Sequence, residues 1–75
     1  MKITHYQEKV DLLSKMQNRA RFKAADATNG EIVRCCVERS NSGNNTVFVF
    51  AKGSSCRGYR FSENVFLREY DILQP

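Results

Sequence analysis

Ala20-Arg21-Phe22-Lys23-Ala24-Ala25-Asp26-Ala27-Thr28-Asn29-Gly30-Glu31-Ile32-Val33-Arg34-Cys35-Cys36-Val37 is the stretch that decides the fold. Two alternating segments meet at Asn29-Gly30, the pair that most readily takes the positive φ angles of a type I′ turn. A two-residue loop there sets Phe22 opposite Val37 and Ala24 opposite Cys35, with every apolar side chain on one face. The other face receives Arg21 against Glu38, Lys23 against Cys36 and Ala25 against Arg34, and is polar and mostly basic. A one-residue slip would reverse both faces, so the register is well specified.

Working outward, Thr4-His5-Tyr6-Gln7 has the spacing of a capping box, and it predicts a helix over 5–17. Tyr6, Val10, Leu12, Leu13 and Met16 share one broad face of that helix, while Glu8, Lys9, Asp11 and Lys15 take the solvent side. Beyond the hairpin, Ser40-Asn41-Ser42-Gly43-Asn44-Asn45 is a run of turn formers and reads as a loop. Thr46-Val47-Phe48-Val49-Phe50-Ala51 is apolar on both faces and reads as the central strand. A connection at 53–58, a short strand at Tyr59-Arg60-Phe61-Ser62 and a last strand from Val65 to Leu73 complete the chain. The expectation is one domain over 1–75 of class α+β, mainly β. An N-terminal helix precedes a small five-stranded SH3-like or Sm-like β-barrel over 19–73, closed to limit exposed edges.

Composition bounds the function. At 75 residues the chain has room for one core and not for a large catalytic cleft. No apolar run is long enough to span a bilayer, and the start lacks a secretory h-region, so a cytoplasmic location is expected. Cys35 and Cys36 point to opposite faces of one strand and Cys56 lies in a later loop, which suits reduced thiols. With one histidine and no Cys-x-x-Cys, neither a metal nor another cofactor is expected. No nucleophile–base pair, paired carboxylates or phosphate loop is recognisable, so the chain reads as a non-enzyme.

Ala20-Arg21-Phe22-Lys23, Asn29-Gly30-Glu31 with Arg34 and Val37, and Arg57-Gly58-Tyr59-Arg60-Phe61 with Val65 resemble the WYL-like SH3 β-barrel proteins. The likeness is to the short stand-alone versions of tailed bacteriophages. That family carries an aromatic-rich central strand followed by an Arg-x-Phe-Arg-like element, for which this chain has Val47-Phe48-Val49-Phe50 and Arg57-Gly58-Tyr59-Arg60-Phe61. The resemblance implies a non-enzymatic regulatory or nucleic-acid-responsive module of phage origin, working in the host cytoplasm.

The charge balance points the same way. Twelve Lys and Arg against eight acids leave a net charge of +4, which favours an anionic partner. Arg19, Arg21 and Lys23 alternate along one strand, Arg34 joins them from the next, and Arg57 and Arg60 flank Tyr59, a ring on which a base would stack. These seven residues are the expected nucleic-acid-binding set, with RNA or single-stranded DNA favoured over duplex because no helix is basic enough for a major groove. The alternative is a protein-binding inhibitor of a host enzyme or defence factor, its interface drawn from surplus aromatics or an exposed strand edge, which would equally serve a homodimer.

Overall fold

The computed structural model of the protein describes residues 1–74, and its element order is β1 (Lys2–Ile3), α1 (Tyr6–Ser14), β2 (Arg21–Asp26), β3 (Ile32–Glu38), β4 (Thr46–Phe50), β5 (Gly58–Ser62), α2 (Glu63–Glu69) and β6 (Tyr70–Leu73). The six strands form one antiparallel sheet in the order β1-β6-β2-β3-β4-β5. It is α+β and mainly β, as expected, but the sheet does not close. β1 and β5 are its two edges, so the expected five-stranded barrel is replaced by an open sheet.

The last segment explains the difference. Read as a strand, residues 65–73 would have continued the meander beside β5. Instead Phe66 and Leu67 are both fully buried, which neighbouring residues of a one-sided strand cannot be, whereas a helical turn brings both to the core. α2 therefore carries the chain across the sheet, and β6 pairs with β2 on the far side, Ala24 facing Ile72. Ala24, Cys35, Val37, Val47, Val49 and Ile72 form the inner face of the sheet, and Leu13 of α1 and Phe66 and Leu67 of α2 complete the core on it. Two helices do the covering that barrel closure would have done.

The hairpin keeps its faces and loses its expected partners. Phe22 faces Cys35, Ala24 faces Val33 and Lys23 faces Arg34, a shift of two positions. The loop has four residues, Ala27 to Gly30, because Asp26 organises it. Its carboxylate accepts from the backbone N–H and hydroxyl of Thr28, its carbonyl accepts from Gly30 N–H at 2.7 Å, and its own N–H donates to Glu31. A shift of two is even, so the inner and outer sets survive.

α1 is shorter than predicted. His5 and not Thr4 is the N-cap, and no side-chain capping bond forms; Gln7 Nε2 donates to Asp11 Oδ1 along the helix. At the other end Arg39 Nε and Nη2 donate to Met16 O and Leu13 O, both at 2.7 Å, taking carbonyls a longer helix would have used. Lys9, expected on the solvent side, is buried at 4% exposure. β4 is also not central: it lies one strand from the edge, with Val47 and Val49 buried and Phe48 and Phe50 half-buried on the uncovered side. No helix among the described residues is long and apolar enough to cross a membrane.

Candidate nucleic-acid interface

Both helices lie on one face of the sheet, so the opposite face of β2 to β5 stands open. The ladder brings Arg21, Cys36, Phe48 and Arg60 into one row across that face, and Lys23 and Arg34 into the next, with Phe50 on β4 beside them. Phe48 and Phe50 meet edge to face, ring centroids 4.9 Å apart. Around them stand guanidinium groups. Arg21 and Arg34 lie over Phe50 at 5.6 and 5.8 Å from its centroid, and Arg60 lies over Phe48 at 5.2 Å.

Two of these cations are held in place. Arg34 Nη2 donates to Ser54 O at 2.6 Å, which ties β3 to the loop between β4 and β5. Arg60 Nε donates to Glu38 Oε1 at 2.9 Å. That loop is organised by Ser54, whose hydroxyl accepts from the backbone N–H groups of Cys56 and Arg57. A cleft of about 200 Å³ opens between Arg21, Lys23, Arg34, Phe50 and Ser55. A second, of about 460 Å³, runs over Phe48 between Arg19, Arg21, Glu38 and Arg60. Phe50 and Arg21 line both, so the two are parts of one surface.

Of the seven expected site residues, the structure brings five together: Arg19, Arg21, Lys23, Arg34 and Arg60. Arg19 reaches the face from a bulge before β2. Its φ is 67°, its N–H donates to Val37 O, and Val37 N–H donates to Ala20 O, so two residues oppose one. Tyr59 does not join them. It is opposite Val49 and so has the parity of the helix-covered face, yet it is 71% exposed. Arg57 sits in the exposed loop ahead of β5.

Phe48 and Phe50 were missed as site residues because β4 reads as apolar throughout. The signal was in the sizes. Val and Phe alternate from Val47 to Phe50, and a helix-covered face accommodates the Val pair while the Phe pair points away. The eight aromatics divide accordingly. Phe22, Phe61, Phe66 and Tyr70 pack with one another, Phe66 and Tyr70 being stacked at 4.9 Å. Phe48 and Phe50 form the outer pair. Tyr6 and Tyr59 are exposed. The chain matches no family model, no curated protein and no solved structure.

Proposed function

We propose that this chain is a small non-enzymatic module that binds single-stranded nucleic acid, RNA or DNA, on the open face of its sheet. The observation that carries the reading is the Phe48–Phe50 pair set among Arg21, Arg34 and Arg60. Paired rings on a flat sheet suit unpaired bases, whose faces are free, and do not suit a duplex, whose bases are already stacked. Binding is an exchange. At Phe50 a base takes the place of the Arg21 guanidinium over the phenyl ring, and the displaced guanidinium meets the phosphate that the base brings with it, while Arg60 stays on Glu38 beside the base at Phe48. Each cation–π contact given up is worth about 0.5–1 kcal/mol at an exposed site, and each stack gained about 1–3 kcal/mol. A charge-assisted bond to phosphate is gained as well, so the exchange favours the bound state.

The test is fluorescence anisotropy with labelled single-stranded RNA, single-stranded DNA and duplex DNA at two salt concentrations. Phe48→Ala or Phe50→Ala lowers single-strand affinity about tenfold, the equivalent of one stack. Arg21→Glu with Lys23→Glu abolishes binding and flattens its salt dependence. Absence of single-strand binding at low salt, or full affinity in both Phe variants, overturns the proposal. A second reading rests on a different feature: β5 is an open edge that displays Tyr59, which suits pairing with a strand of a protein partner or a second copy. Under that reading Tyr59→Ala and not Phe50→Ala is the disruptive change.

A further inference from the structure

Among the described residues Glu38 is the one carboxylate that lines the cleft over Phe48, and the way it is held leaves half of it free. Oε1 accepts from Arg60 Nε at 2.9 Å and from Thr46 Oγ1 at 3.3 Å, while Oε2 takes none of the hydrogen bonds among the described residues. The side chain is 36% exposed, so Oε2 stays in reach of a ligand. Arg60 is the link between this carboxylate and the ring, since the same guanidinium lies over Phe48. A base stacked at Phe48 therefore meets an oriented acceptor at its edge.

On the single-strand reading given above, we infer that Glu38 selects the base at Phe48 and that the base is guanine. An ionised carboxylate only accepts hydrogen bonds, and Oε2 has both lone pairs to offer. Guanine presents two adjacent donors, N1–H and the N2 amino group, on its Watson–Crick edge, with the O6 acceptor beside them for the guanidinium of Arg60. Adenine and cytosine bring a single amino group next to a ring acceptor. Uracil and thymine bring one N–H flanked by two carbonyls, which face the carboxylate with like partial charge. Thr46 is a positioning residue: its hydroxyl helps to fix which oxygen of Glu38 is occupied and which is free.

The test compares four labelled pentaribonucleotides, UUGUU, UUAUU, UUCUU and UUUUU, by anisotropy at low salt. The wild-type chain binds UUGUU about tenfold more tightly than UUUUU, the discrimination of one good base-edge contact. Glu38→Gln brings the four to within about twofold of each other and raises the affinity for UUUUU, because a negative charge has left a basic face. Thr46→Val lowers the preference for guanine. Equal wild-type binding to all four, a preference for another base, or a guanine preference that survives Glu38→Gln overturns the inference and leaves the single-strand reading standing. Failure of the wild type to bind any of the four or their deoxyribonucleotide counterparts overturns both.

Discussion

Lys9 Nζ lies 3.3 Å from Asp71 Oδ1, joining the first helix to the last strand where both side chains are nearly out of water. The same ammonium donates to Leu67 O and to Tyr70 O, so all three of its protons are used at the junction of α2 and β6. Lys9→Met removes the donor and leaves buried acceptors unpaired, which costs about 3 kcal/mol. Asp71→Asn keeps the two carbonyl bonds and costs about 1 kcal/mol. Urea denaturation of the two variants checks the order, and a smaller loss for Lys9→Met would mean that the ammonium is not what fastens α1.

Gly58 opens β5 against Phe50, and a Cβ there would stand 2.0 Å from Val49 O and 2.9 Å from Phe50 Cα. Backbone cannot swing aside as a flexible side chain does. Gly58→Ala is expected to cost about 1–3 kcal/mol by forcing β5 off β4, and it moves Arg60 away from Phe48. Gly30 presents the opposite case, with open space around it and a φ of +75°. Gly30→Ala costs about 1 kcal/mol through its backbone alone, and Gly30→Asn less, since Asn tolerates the left-handed region. Thermal melts of the three variants separate steric from conformational cost.

Much of the fold was legible in the chain because alternation reports faces. Phe22, Ala24, Cys35 and Val37 lie inside, and Arg21, Lys23 and Arg34 outside. Alternation has a period of two and is blind to an even shift, so it did not reveal that the Asp26 side chain stretches the loop to four residues. It was equally silent about the segment after Ser62, where Val65-Phe66-Leu67 suits a strand or one face of a short helix, and long-range pairing of β6 with β2 decides. The basic half of the site was readable from charge. Its aromatic half depended on which face the helices cover, a tertiary fact.

Asp26 gives the hairpin loop a dependence on acid. Its carboxylate is held below the ordinary range first by the Thr28 hydroxyl and then by the Thr28 backbone N–H. A carboxylate whose value falls on folding contributes stability that is present above its unfolded value of about 3.8 and is lost as pH falls through the depressed folded value. Asp26→Ala therefore removes part of the chain's acid sensitivity and speeds hydrogen exchange at the amides of Thr28 and Gly30. Unchanged exchange at both would show that the backbone bonds to Glu31 and Gly30 hold the loop by themselves.

The three thiols separate by burial. Cys35 is fully buried, and burial pushes its thiol up to about 12, so it stays protonated near neutral pH, whereas Cys56 lies on the surface, open to a reagent. Alkylation of the native chain near pH 8 should modify Cys56 fast, half-buried Cys36 more slowly, and Cys35 only after urea is added. Because the folded value lies above the ordinary one near 9, this group's share of stability is intact below pH 9 and is lost as pH rises towards 12. Mass spectrometry of labelled peptides gives the order, and modification of native Cys35 at the rate of Cys56 would contradict the packing described for β3.

Arg19 sets binding against stability. A non-glycine residue at φ 67° costs about 1–2 kcal/mol of backbone strain, and the bulge it makes carries its guanidinium to the cleft over Phe48. Arg19→Gly relieves the strain but adds chain entropy to the unfolded state, so the net gain is about 0.5–1 kcal/mol. The same change deletes one cation from the open face and lowers the slope of log affinity against log salt by about 0.7, the share of one phosphate contact on a single strand. A variant that melts higher and binds more weakly is the expected pair of outcomes. Loss of stability in Arg19→Gly would show that its side chain, and not only its backbone, holds the entry to β2.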